Sequence, residues 1–224
     1  MDSTLQRIRV EALLAGLPVR EFRSYRGRRH YSGWYWSATT GGHVVYENRL
    51  ELARILLADR DPDVVAIAAQ PFLLEEQDGA RIRRHVPDLL LGHANGSVTV
   101  VDVKAPKRCA DPAIAEQVAW TRRACEQADF GFEVWSGADP VVLENVRFLA
   151  GYRRAAWVDQ KLVPSVLGNA ASPVSVLDLE MRMADHPREL TRPVILHLLW
   201  LSRLVADLSQ PLDGDTVVRT EMAA

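Results

Sequence analysis

The chain has 224 residues, 48% of them hydrophobic, enough to bury one good core and a second small one. Its formal net charge of −2 excludes a protein that binds nucleic acid with its whole surface, so any phosphate-binding groups must be concentrated locally. Two cysteines without CxxC spacing, six scattered histidines without an HExxH set and no Gly-rich phosphate loop exclude zinc, disulfide and nucleotide-binding chemistry.

Basic groups are concentrated early, at Arg23, Arg26, Arg28 and Arg29, followed by Tyr31, Trp34, Tyr35 and Trp36. Arginines that neutralise phosphates beside aromatics that stack or wedge suit an arm contacting nucleic acid. The same residues also suit a pair of edge strands with solvated arginines outside and aromatics in the core, and both readings stand together. Residues 1–36 are taken as an N-terminal helix followed by this arm.

Tyr46 to Leu57 is built of good helix formers and stops before Asp59-Arg60-Asp61-Pro62. Leu52, Ile55 and Leu56 form its core stripe, and Glu47, Glu51 and Arg54 lie on a neighbouring one. Either glutamate is within reach of a site. Val64 to Ile67 reads as a strand, and Gln70-Pro71-Phe72-Leu73-Leu74 as another entered at proline. Leu89-Leu90-Leu91 and Val98 to Val103, joined by Ala94-Asn95-Gly96, read as a hairpin. The second strand is nearly continuously apolar and so buried on both faces.

Alternation puts Val98, Val100, Asp102 and Lys104 on one side of that strand. Two charges at a buried strand end are expensive unless paired. The hairpin also brings Asp88, after Pro87, toward Asp102, in a register the sequence leaves open. Neighbouring carboxylates repel unless a cation sits between them. Magnesium meets that need with oxygen ligands at roughly 2.0–2.1 Å, and manganese substitutes for it. This pattern suggests a divalent-metal site for phosphodiester cleavage. A helix from about Pro112 to Gln127 and a strand at Phe132 to Trp135 complete a mixed α/β domain, with Gln117 a possible support for the site.

Pro87-Asp88 followed by Asp102-Val103-Lys104 matches the PD-(D/E)xK pattern, and its context resembles the TnsA-type endonuclease subunit of heteromeric transposases. The closest segments are Asn48 to Ala53, Asp61 to Val64, Gln70 to Phe72 and the hairpin acids. Some members carry glutamine where Asp102 stands. The resemblance implies a restriction-endonuclease-like mixed sheet flanked by helices over residues 37–143. It also implies Glu51 rather than Glu47 as the helix acid, with Mg2+ held by Glu51, Asp88, Asp102 and the Val103 carbonyl, and Lys104 positioning water or neutralising the transition state. The implied activity nicks one strand, on the 5′ side, at transposon ends in double-stranded DNA, while a DDE-type transposase cuts the other under an AAA+ ATPase regulator. Lys107 and Arg108 stand where the DNA backbone passes, or on a solvated loop.

Residues 144–224 read as a connector helix and a small winged-helix-like domain. Its helices are expected at Val174 to Met181 and Arg192 to Trp200, with Pro193 in the first turn of the latter, and its strands at Leu204 to Leu208 and Thr216 to Arg219. Leu162 to Pro173 reads as a linker. The second helix is too apolar to read bases, which points to docking on a partner. His85, close to Asp88, is a candidate phosphate contact. With no signal peptide or long apolar span, a soluble cytoplasmic protein is expected. The competing readings are a stand-alone restriction or repair nuclease, and a non-catalytic DNA-binding or docking protein.

Overall fold

The computed structural model describes residues 4–20, 31–78 and 80–221. Arg23, Arg26, Arg28 and Arg29 lie outside the described residues. The chain divides into two compact units, Met1–Asp59 with Asp63–Gly137, and Arg60–Pro62 with Ala138–Ala224.

The first unit runs α1 (Val10–Leu14), β1 (Gly33–Ser37), β2 (Gly42–Tyr46), α2 (Arg49–Arg60), β3 (Val64–Ala69), β4 (Leu74–Asp78), β5 (Arg81–His85), β6 (Leu89–His93), β7 (Val98–Val103), α3 (Pro106–Cys109), α4 (Pro112–Gln127) and β8 (Gly131–Trp135). Its main sheet has the order β3-β6-β7-β8, antiparallel except for the parallel pair β7 and β8. It is a mixed sheet flanked by helices. β6 and β7 form the expected hairpin, with Leu89 opposite Val101 and Leu91 opposite Thr99. Gly96 takes the left-handed φ of +84° that its turn requires. Five of the six β7 residues are buried, so the strand is covered on both faces.

Val98 and Val100 share a core with Leu13 of α1, Leu90 of β6 and Cys125 of α4. Asp102 and Lys104 follow on that face by alternation, and α4 is the element that covers it. Asp111 caps α4 by accepting from the Ala113 amide, and Pro112 occupies its first position, where a missing N–H is harmless.

Several segments depart from the expectation, the first being the helix placed at Tyr46 to Leu57: Tyr46 closes β2, and α2 continues through Asp59 to Arg60. Gln70 to Leu73 is not strand. Gln70 adopts φ +49°, which ends β3, and the next strand starts only at Leu74. β4 and β5 then pair as a separate two-stranded ribbon, with Glu75 opposite Arg84 and Glu76 opposite Arg83. These opposite-charge cross-strand pairs stabilise a ribbon that lacks the apolar alternation by which strands are recognised in a sequence.

β1 and β2 pair antiparallel. Tyr35 is buried, whereas Trp34 is 65% exposed, so the aromatic run is divided between core and surface. Buried Asp59, near the end of α2, accepts from the Tyr35 hydroxyl (2.6 Å), the Ser37 hydroxyl (2.5 Å) and the amides of Ala38 (3.1 Å) and Thr39 (2.8 Å). One carboxylate thus joins hairpin and helix.

The second unit contains α5 (Pro140–Leu149), α6 (Val163–Asn169), β9 (Val174–Ser175), α7 (Val176–Arg182), α8 (Arg188–Trp200), β10 (Leu204–Val205) and β11 (Val217–Thr220), the strands forming an antiparallel sheet β10-β11-β9. The segment expected as a linker holds α6, because Val163 and Val166 bury against the unit and Pro164 suits a helix start. α8 begins four residues before Arg192, so Pro193 lies inside the helix rather than in its first turn. The helix tolerates the missing amide because its remaining residues are almost all buried, from Val194 to Trp200. Asn145 of α5 fastens the C-terminal loop, donating to the carbonyls of Leu208 (2.9 Å) and Gln210 (2.7 Å) and accepting from the Leu212 amide (3.1 Å). Among the described residues no helix is long and apolar enough to cross a membrane.

Replacing Asp59 by alanine leaves four donors without their acceptor. We expect a loss of roughly 2–4 kcal/mol in urea unfolding of the full chain, with β1 and β2 losing amide protection first. A loss below about 1 kcal/mol would show that water replaces the carboxylate at no cost.

Candidate active site

The acids and the lysine meet at the end of the hairpin strands. The β6 and β7 register, continued by one residue, sets Asp88 opposite Asp102. The Asp88 amide donates to Val101 O (3.1 Å), and its carbonyl accepts from the Gln70 amide (2.9 Å), so the Pro87-Asp88 turn is pinned between β3 and β7. Asp88 Oδ2 accepts from the Val103 amide (2.6 Å) and from Lys104 Nζ (3.3 Å). N–H and C=O of one residue point the same way in an extended strand, so the Val103 carbonyl also looks toward Asp88. Lys104 is held from the other side, its amide donating to Trp135 O (2.9 Å).

Glu51 arrives from the first turn of α2. Asn48 caps that helix, its Oδ1 accepting from the amides of Leu50 (2.9 Å) and Glu51 (3.0 Å). Glu51 reaches back, with Oε2 accepting from the Glu47 amide and Oε1 from Asn48 Nδ2, each at 2.6 Å. The Asn48 side chain on the Glu51 amide is one half of a capping box, while the Glu51 carboxylate takes the Glu47 amide, one residue before the cap, so Glu51 has a structural task in addition to any chemical one. Both glutamates are held in place, Glu51 through both carboxylate oxygens and Glu47 through Oε1 by the Gln70 amide group (2.9 Å).

Glu47, Glu51, Asp88, Val103 and Lys104 line one cavity of about 550 Å3. Burial pushes the Glu51 carboxyl up to about 7, and the neighbouring charges of Asp88 and Glu47 add to the effect. Burial also raises Asp88, although Lys104 and the Val103 amide pull it down. Arg20, Arg84 and Arg108 stand on the cavity wall, whereas Lys107 is exposed and not on it. Arg84 was hidden from sequence reading because the β4 and β5 ribbon was. An acidic run, Glu75 to Asp78, followed closely by a basic one, Arg81 to Arg84, is the signal that could have found it.

Asp102 is placed differently. It is fully buried and does not reach the cavity wall. His85 Nε2 lies 2.8 and 3.0 Å from its two oxygens, and Lys104 Nζ lies 3.8 Å from Oδ1. The other imidazole nitrogen, Nδ1, bonds to the amide group of Gln117 on α4. With Gln117 donating to Nδ1, the ring carries its proton on Nε2 and donates it to Asp102. Both ring nitrogens are therefore committed, and His85 is not free to contact phosphate as its position near Asp88 had suggested. Gln117 stands on the cavity wall and holds His85.

The donor set suits a hard divalent cation: the Asp88 and Glu51 carboxylates and the Val103 carbonyl would supply oxygen ligands, and Lys104 Nζ lies 3.3 Å from Asp88 Oδ2 and 3.8 Å from Asp102 Oδ1. Asp88 Oδ1 meets no hydrogen-bond donor among the described residues. The same described residues contain no three His, Cys, Asp or Glu side chains already converged on one metal position. The acids fit Mg2+ or Mn2+ in kind, with Asp102 turned to His85. Neither cysteine competes for a chemical role here. Cys109 is exposed outside the cavity, and burial together with the Asp102 charge pushes the Cys125 thiol up to about 12. No protein-family model matches the chain, and no curated protein is significantly similar to it.

A carboxyl whose folded pKa exceeds its unfolded value contributes stability that is fully present below the unfolded pKa, 4.5 for Glu51, and lost as pH rises through about 7. Metal-free protein is accordingly expected to lose roughly 2–3 kcal/mol between pH 5 and 8 from this group, with Asp88 adding in the same direction. Urea unfolding at the two pH values, compared with Glu51→Gln, measures it. An equal pH dependence in the variant would remove Glu51 as the source.

Proposed function

We propose that this chain is a metal-dependent DNA endonuclease with restriction-endonuclease-like architecture, acting as the TnsA-like subunit of a heteromeric transposase. The observation that carries the reading is the meeting of Glu51, Asp88, Val103 and Lys104, from three separate segments, around one cavity bordered by arginines. An arrangement of acids serving only as surface polarity has no reason to be buried beside one another, where each raises the cost of ionising the next.

In this reading Asp88, the Val103 carbonyl and Glu51 hold Mg2+, or Mn2+ in its place, and Asp102 completes the set. The ion lowers the pKa of a bound water and offsets charge on the scissile phosphate. The remaining work falls to the chain. Lys104, within 3.3 Å of Asp88 Oδ2, sits where it can orient the attacking water or face the phosphate oxygens. Arg20, Arg84 and Arg108 meet the DNA backbone at the cavity wall, fixing position without reading sequence. The preference for transposon ends then resides with a DDE-type transposase, and control with an AAA+ ATPase regulator. The second unit, α5 to α8 with a three-stranded sheet, suits a winged-helix-like docking module. α8 is too deeply buried to enter a DNA groove, which favours a protein partner over base reading.

A supercoiled plasmid bearing the element's end, incubated with Mg2+ and the partner proteins, tests the reading. Nicking should require the metal and fall at least about 100-fold in Asp88→Ala and in Lys104→Ala, because each removes a charge acting on the transition state. Equal nicking by folded variants, or none by the wild type with its partners, would sink it.

A further inference from the structure

The imidazole of His85 stands between the cavity and Asp102. His85 belongs to the cavity wall, and Asp102 lies behind it with no exposed surface. A single ring nitrogen faces both carboxylate oxygens, at 2.8 and 3.0 Å. Gln117 holds the opposite nitrogen, so the ring cannot turn without giving up partners on both sides. Lys104 covers the remaining approach, 3.8 Å from Oδ1.

The element that carries the ring is separable from the sheet that carries the carboxylate. His85 is the last residue of β5, and the β4 and β5 ribbon shares no ladder with the four-stranded sheet of β7. Displacing the ribbon withdraws the ring while every strand pairing of the main sheet survives. Only Val86 and Pro87 separate His85 from Asp88, so the same displacement is felt at the other acid.

We propose that His85 is a gate on the metal site: clamped by Gln117, it keeps the Asp102 carboxylate off the cavity, and a divalent cation gains that ligand only when the ring leaves. This rests on the metal-dependent reading above. It accounts for why three acids are gathered at one place while no three side chains among the described residues converge on a metal position. The gate gives His85 and Gln117 positioning roles, acting through Asp102. A histidine that instead supports a metal-ligating carboxylate from behind leaves the ligand facing the cavity, which is the reverse of the order found here.

The test is Mn2+ affinity of the full chain, read from the free-ion EPR signal, for wild type, His85→Ala and Gln117→Ala, each with and without Asp102→Asn. His85→Ala should bind Mn2+ about tenfold more tightly, since it adds a charged ligand to the set. That gain should vanish with Asp102→Asn, because the coupling runs through this pair. Gln117→Ala should shift affinity the same way by less, and it decides the matter alone if circular dichroism shows His85→Ala unfolded. Unchanged affinity overturns the gate, as does a fall of roughly 10–100-fold, the mark of a supporting outer partner. A gain that survives Asp102→Asn overturns it too. Asp88→Ala separates the two levels: Mn2+ binding that depends on Asp88 but ignores His85 overturns the gate only, whereas binding indifferent to Asp88 removes the site and the gate together.

Discussion

A carboxylate buried without any exposed surface at the end of β7 is the constraint on which the neighbouring structure turns. Moving such an ion out of water costs several kcal/mol, recovered only by close partners of the right kind. Asp102 has two, the His85 imidazole and the Lys104 ammonium. Each comes with a structural demand. His85 requires the β4 and β5 ribbon to end beside β7. Gln117, which fixes the ring, requires α4 to lie along the Val98 and Val100 face. Lys104 requires β8, whose Trp135 carbonyl holds its backbone. Removing any one of these elements leaves a buried anion or a buried donor without its partner.

The cavity beside this carboxylate shows a second imbalance. Glu47, Glu51 and Asp88 face a space in which Lys104 is the nearest cation, and the first turn of α2 adds only its partial positive charge. Burial outweighs that help, and the Glu51 carboxyl rises to about 7. A group so placed is easily persuaded to ionise by a cation and easily kept neutral without one, a property that a structural capping residue does not need. Glu51 thus closes the helix start while its carboxyl faces the cavity.

Much of this was legible in the residues, for identifiable reasons. The β6 and β7 hairpin followed from apolar runs around Asn95-Gly96, and α4 was expected over its observed span, Pro112 to Gln127. Parity alone placed Asp102 and Lys104 on one face. The ribbon was not legible, because Leu74 to His85 is an acidic run followed by a basic one rather than an apolar–polar alternation, and its stability comes from pairs such as Glu75 with Arg84 that exist only across strands. α6 was missed because its glycine and asparagine resemble a linker, although Val163 and Val166 bury it. Pro193 misled about the start of α8 because apolar packing overrode the local cost of proline.

The sequence by itself determined which chemistry is available: hard oxygen donors with one lysine, short strands to carry them, and no nucleotide or zinc motif. Those facts depend on residue type and local spacing, and one chain position at a time is enough to read them. Only the tertiary structure decided which oxygens face the cavity. Whether Asp102 points to open space or to His85 depends on where a ribbon 17 residues upstream and a helix 15 residues downstream come to rest. That placement is set by packing and by the need to pair a buried charge, forces that act across space and leave no mark in the order of residues.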